Sequence, residues 1–213
     1  MLYKIKTFSD SKLKRYYNQC MKELGDFYGF YITKNRPRVI VLESRRMIDS
    51  LKKKKTDSWI VAWAEGNLTI FILDQSKMAT ESCHKKYGNK QYKALLKHEL
   101  SHVFSRIMAG FGISVPAWLN EGLAIYSSGQ NKFKKPVEKF GGFLKFYSKA
   151  NRDTYNEAGF AVELLVANFG KKKLFSLLKN LRNVKNKTGF NKLFKTIYGF
   201  SPSYTKFNKL LKT

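Results

Sequence analysis

Apolar positions change their period twice along this chain. Over residues 9–30, Leu13, Tyr16, Tyr17, Cys20, Met21, Leu24 and Phe27 recur three and four apart behind two capping residues, Ser9 and Asp10. That spacing predicts an amphipathic helix. The next apolar stretches are short runs. PRVIVL (37–42) predicts a strand, and SWIVAWA (58–64) and LTIFIL (68–73) predict two more on either side of an EGN turn. The charged stretch between the first and second strands ends in a lysine run at 52–55, which predicts a solvated loop.

From Lys90 the helical period returns and holds to Ala109, where Gly110 supplies a stop. A second helix is predicted from Ser114–Pro116 onward, since proline is tolerated in a first turn. After a loop over 129–142 the remainder reads as helix, broken at Gly170, near Gly189 and at GFSP (199–202). Strands come first and helices after, the order of an α+β domain. The expected organisation is one domain over 1–213. An N-terminal α/β part (1–89) carries a small sheet, and a mainly helical part (90–213) follows.

Composition narrows the class. A chain of 213 residues with 43% hydrophobic and 15% aromatic content can bury a core, which excludes a disordered chain. No apolar run approaches the ~20 residues of a membrane span. MLYKIKTFSDSKLKR at the N-terminus lacks the apolar stretch of a signal peptide, so a cytoplasmic location is expected. Cys20 and Cys83 stand in no metal-type spacing and are expected to be free thiols. Charge is the outlying property: 41 Lys+Arg against 15 Asp+Glu, a net +26, with no acid at all after Glu163. Such a surface attracts nucleic acid, anionic lipid and acidic partners without specificity. Lysine rather than arginine dominates, beside many asparagines, and an AT-rich coding sequence produces that pairing without selection for binding.

Candidate chemistry lies in HELSH (98–102), which holds two of the three histidines, the third being His84. On a helix, residues i and i+4 share a face, so His98 and His102 can both reach one ion. Glu99, one residue round, can reach a water on that ion without being a ligand. Leu95, Leu100, Val103 and Ile107 provide a core stripe on the other side. Hydrolytic zinc takes three protein ligands and keeps one position open. The candidate third ligand is Glu121, separated from His102 by eighteen intervening residues that include no other Asp, Glu, His or Cys.

HELSH, that gap and WLNEGLAIY (118–126) together resemble the gluzincin metallopeptidases, the peptidase MA-like group. The likeness covers roughly residues 59–129, and YNEAGFAVELLVANFGKKKLFSLL (155–178) is similar to the helical segment that follows in that group. It implies a gluzincin-like fold and zinc-dependent hydrolysis of a peptide or protein. One Zn2+ would be held by His98, His102 and Glu121. Glu99 would be the general base, and Tyr155 would stabilise the transition state. It also implies that the strand Leu68–Leu73 lies at the cleft edge and pairs with an extended substrate. AWAEGN replaces the G-A-M-E-N motif of the aminopeptidase branch, so aminopeptidase specificity is not implied. Tyr155 stands one residue farther from Gly159 than in that branch.

Glu157 and Glu163 are expected to be ordinary helix carboxylates, either of which could alternatively orient a histidine ligand. Tyr126 is expected to pack, and His84 to lie at the surface. The rival reading is a lysine-rich nucleic-acid- or anion-binding protein whose zinc site is structural or vestigial. Glu99 separates the two, because a binding module has no use for a base beside an open metal position.

Overall fold

The computed structural model describes residues 7–66 and 68–212. Part of the N-terminal stretch read above and Asn67 of the EGN turn lie outside the described residues. Helix α1 (Ser11–Tyr28) sits within the predicted 9–30. Asp10 rather than Ser9 caps it by accepting from the Leu13 N–H, and Gly29 ends it in the left-handed region.

Three strands follow as predicted: β1 (Arg38–Leu42), β2 (Ala62–Glu65) and β3 (Thr69–Leu73). Their order is β1-β3-β2, with β1 parallel and β2 antiparallel to β3. Strand β2 starts later than SWIVAWA suggested. The Arg45 guanidinium holds the residues before it as a loop, donating to the carbonyls of Asp57, Ser58 and Ile60. Strand β3 is paired on both sides and buries Ile70, Ile72 and Leu73. It therefore cannot be the cleft-edge strand expected of Leu68–Leu73. The edge strand that packs against the HELSH helix is β2.

Lys53–Lys55 of the lysine run leave the helix as a turn, as expected, but the charged stretch before them is ordered. It forms α2 (Arg45–Lys52), capped by Ser44, with Ile48 fully buried and Met47 and Leu51 packed on the core. Three apolar residues among arginines and lysines were too few to display a period. Beyond β3 the chain makes a 3-10 turn (Gln75–Lys77) and the short α3 (Met78–Glu81).

Helices α4 (Asn89–Ala109) and α5 (Ala117–Ser128) match their predicted spans. Gly110 and Gly112 join them at φ +104° and +76°, conformations that a side chain disfavours. The first backbone N–H groups of α5 donate outward: Ala117 to the Phe146 carbonyl at 2.5 Å and Trp118 to the Lys145 carbonyl at 2.9 Å. Those acceptors belong to residues 143–151, which were expected to be helical. Spent on capping α5, they leave that stretch irregular. Helix α6 (Arg152–Phe169) begins only at the Asn151–Thr154 capping box, with Asn151 as its N-cap. Gly170 separates it from α7 (Lys171–Asn180), as predicted. The break expected near Gly189 falls earlier, at 181–186. Asn186 accepts from the Gly189 N–H and places that glycine in the first turn of α8 (Lys187–Tyr198). A last helix, α9 (Tyr204–Leu210), follows the predicted break.

The fold is mixed α+β, with a small sheet and a helical majority. One hydrophobic cluster runs from Cys20 on α1 through Leu96 and Leu100 on α4 to Phe207 on α9. In its helical part, buried Trp118 meets Phe143, Phe190, Phe194 and Phe207 edge-on, an arrangement favoured by the ring quadrupole. Both cysteines are free, Cys20 buried and Cys83 exposed. Among the described residues no helix is long and apolar enough to cross a membrane.

What fixes α5 is its contact with α6. A Cβ on Gly122 would lie 2.5 Å from the Ala158 carbonyl oxygen, and one on Gly159 would collide with Ile125. The helices approach this closely because each presents a glycine to the other. Gly122→Ala should therefore cost about 1–3 kcal/mol in chemical denaturation. Gly141→Ala, where an added methyl meets nothing within 4 Å, should stay within about 0.5 kcal/mol of wild type. Equal stability of the two variants would show that the helices are farther apart than described.

Candidate metal centre

The close packing of α5 beside α4 brings Glu121 to the two histidines. One turn of α4 presents both rings on one side, with Nε2 atoms 3.2 Å apart and ring centroids 4.8 Å apart. Glu121 Oε2 completes a triangle, 3.3 Å from His98 Nε2 and 3.7 Å from His102 Nε2. The histidines are only 5% and 6% exposed. Their other ring nitrogens are engaged: His98 Nδ1 with Gln130 Oε1 at 2.9 Å and His102 Nδ1 with Asn120 Oδ1 at 3.2 Å. An amide oxygen only accepts, so each Nδ1 carries the hydrogen and each Nε2 turns a lone pair inward.

Three electron-pair donors thus converge on one point in a buried place. Glu121 Oε2 makes no hydrogen bond of acceptable geometry, although His98 Nε2 is near it. Buried acceptors facing one another repel unless a cation lies between them. Among the described residues these three form a group able to hold a metal ion.

The titratable groups of the site differ in their electrostatics. Burial, foremost, pushes the His102 pKa down to about 4. Burial also opposes protonation of His98, yet the Glu121 carboxylate against its Nε2, helped by Glu99, raises its pKa overall. Burial would raise the Glu121 pKa, but His102 and His98 hold it below the ordinary carboxylate value. Glu99 differs. It is 6% exposed, and burial lifts its pKa to about 7 against the favourable charge of His98, with Glu121 adding to the rise. The backbone of Ala64 on β2 and the Arg106 charge act in the opposite direction on it. Arg106 also donates to the Gly66 carbonyl, which ties the β2–β3 turn to α4.

Tyr155 stands in the first turn of α6, half-buried, with its ring centroid 5.5 Å from that of Trp59. Burial raises its pKa, and Glu121 and Glu99 raise it further, so the phenol keeps its proton within their field. The other two carboxylates of that segment lie elsewhere. Glu157 Oε2 accepts from the backbone N–H groups of Gly141 and Gly142, and Glu163 accepts from Asn131 Nδ2. Neither touches a histidine. The histidines are instead oriented by Asn120 and Gln130, which sequence reasoning missed. Asn120 had one signal, its place beside Glu121; Gln130, after the end of α5, had none. His84 is half-buried, its ring against Tyr87 and its Nε2 3.4 Å from the Trp59 carbonyl oxygen, rather than simply on the surface. Tyr126 packs edge-on against Phe27, as expected.

Ser101, in the middle of HELSH, has partners other than the triangle. Its hydroxyl is 2.7 Å from Tyr28 Oη and 2.7 Å from Ser127 Oγ. This buried chain fastens α1, α4 and α5 together behind the histidines. Searches against protein-family models, curated proteins and solved structures found no match to this chain.

The raised Glu99 pKa has a consequence for stability without metal. The folded state binds that proton more tightly than the unfolded state does. The resulting stabilisation is complete below about 4.5 and disappears as pH rises through about 7. His102 acts in the opposite sense: its stabilisation is present above the ordinary 6.5 and lost as pH falls through about 4. Comparing wild type with Glu99→Gln isolates the first effect. In chelator, the melting temperature of the variant relative to wild type should climb from pH 4.5 to 7 and be flat below that. A difference independent of pH would mean that Glu99 titrates as an exposed carboxylate.

Proposed function

We propose that this chain is a gluzincin-like zinc metallopeptidase, with the metal held by His98, His102 and Glu121. The observation that carries the reading is the size of the donor triangle. Ligands bonded at 2.0–2.1 Å and placed tetrahedrally around zinc lie about 3.3–3.4 Å apart. The separations here are 3.2, 3.3 and 3.7 Å, from two imidazoles and one carboxylate. Calcium and magnesium favour all-oxygen sites, so the donor set also supports zinc. Three protein ligands leave a tetrahedral position open, as in catalytic rather than structural sites.

Zinc in such a site supplies Lewis acidity toward a carbonyl and lowers the pKa of a water. The protein's own groups supply the rest. Glu99 follows a ligand histidine, is not part of the triangle, and has its pKa raised to about 7, where a carboxylate can both take and return a proton. It accepts a proton from the attacking water as oxygen bonds to the peptide carbon. It then delivers that proton to the leaving nitrogen as the C–N bond breaks, giving a carboxylic acid and an amine. Tyr155, kept protonated, donates a hydrogen bond to the oxyanion that forms in between. Strand β2 takes over the role first assigned to Leu68–Leu73. It is the sheet edge against α4, and the Ala64 backbone acts on Glu99, so a peptide paired along that edge would pass the base.

The two glutamates can be separated by experiment. Glu99→Gln should keep about one zinc per chain by elemental analysis while peptide turnover falls by roughly 10²–10⁴-fold or more. Glu121→Gln removes charge from a ligand, so zinc affinity itself should fall, and added zinc should restore part of the activity in this variant only. Loss of metal from Glu99→Gln, with metal and rate both retained in Glu121→Gln, would refute the assignment.

A further inference from the structure

Lys134 follows the 3-10 turn (Gln130–Phe133) that brings Gln130 to His98. It is half-buried, and its Nζ donates to the main-chain carbonyl of Tyr155, bridging that turn to the first turn of α6. Among the described residues it forms no ion pair with a carboxylate. The nearest relation of that kind is electrostatic: its charge acts on Glu121 and on His98. An ammonium has three donors, and the Tyr155 carbonyl takes one. Withdrawing an ammonium from water is costly unless an anion compensates it. A cation in the adjoining triangle would make the position still less favourable. A neutral donor would satisfy the Tyr155 carbonyl equally well.

We propose that Lys134 is a specificity-determining residue whose ammonium binds a carboxylate carried by the peptide substrate. This rests on the peptidase reading and specifies its substrate class: peptides with an anionic group close to the scissile bond. The group is either the C-terminal carboxylate or the side chain of an aspartate or glutamate. Burial lowers the Lys134 pKa to about 8 against the opposing effect of Glu121, so the residue is mostly charged at neutral pH before any ligand arrives. A carboxylate arriving beside it stabilises the charged form. The first turn of α6 then has two duties: its Tyr155 phenol lies within the field of Glu121 and Glu99, while its carbonyl holds the ammonium.

Binding, rather than turnover, is the decisive measurement. Zinc-loaded Glu99→Gln protein would be titrated by calorimetry with N-acetylated peptides in two matched pairs. One pair has a free against an amidated C-terminus, and the other has an internal glutamate against a glutamine in an amidated peptide. At least one carboxylate peptide should bind about tenfold or more tightly than its neutral partner, as a charge-assisted hydrogen bond implies. The pair that shows the preference identifies which carboxylate is read. The ratio should fall below about twofold in Glu99→Gln/Lys134→Met and largely survive in Glu99→Gln/Lys134→Arg. If the methionine variant fails to fold, ¹⁵Nζ resonances of the unchanged lysine give the same answer. A lysine signal that is absent from the arginine variant should shift with the carboxylate peptide and not with its neutral partner. Equal binding within both pairs, a preference that persists without Lys134, or no such shift would overturn the proposal. Wild-type cleavage with no carboxylate preference would sink this inference and leave the peptidase reading intact. Carboxylate binding through Lys134 with no bond cut would do the reverse.

Discussion

The arrangement depends on a local conflict: three electron-pair donors are buried facing one another. Glu121 Oε2 has no hydrogen-bond partner of acceptable geometry, and the two Nε2 atoms stand 3.2 Å apart. Left alone, such a group destabilises the fold, because each donor has lost water and gained repulsion. A cation placed among them would remove the conflict, and its binding would then be coupled to folding stability. The surroundings maintain the conflict rather than relax it. Asn120 and Gln130 occupy the Nδ1 atoms and keep the rings from turning away. Glycines at the α5–α6 contact let α5 be held closely from behind, and the Tyr28–Ser101–Ser127 hydroxyl chain fastens it to α4 and α1.

Around that centre the protein places groups of graded character. Glu99 is buried beside the triangle and its proton is held to about pH 7, whereas Glu121 is kept ionised by the histidines. Two carboxylates close together therefore have different protonation behaviour, set by their neighbours and not by residue type. Tyr155 and Lys134 come from the helical part of the chain, and β2 with Arg106 bounds the other side.

The large positive charge stands partly apart from this. Lysines near the sheet and α1 are engaged locally, as when Glu23 pairs with both Lys93 and Lys97, or when Lys52 lies 3.8 Å over the Trp63 ring. These pairs have partly exposed members and contribute little each. Net charge at this level governs solubility and long-range attraction of anions, not the fold. Lys134 differs from these because it is half-withdrawn from solvent and its charge acts on the ionised Glu121.

By itself the sequence determined what depends on short-range spacing. The i, i+4 interval fixed His98 and His102 on one face, the alternation of short apolar runs located three strands, and Gly110 and Gly170 ended helices where predicted. It also singled out Glu121, since no rival donor lay between it and His102. Tertiary structure decided whatever depends on partners remote in the chain. Residues 143–151 have helical composition, yet their carbonyls cap α5 and they stay irregular. The charged stretch at 45–52 became a helix because the core offered Ile48 a place. Strand order made β2 rather than β3 the edge, because β1 pairs with β3 across an intervening strand. The partners of the histidines, and the closeness of Lys134 to Tyr155, arise from loops folded back by long-range packing. Local spacing sets which way neighbouring side chains point, but only the packed chain decides what they meet.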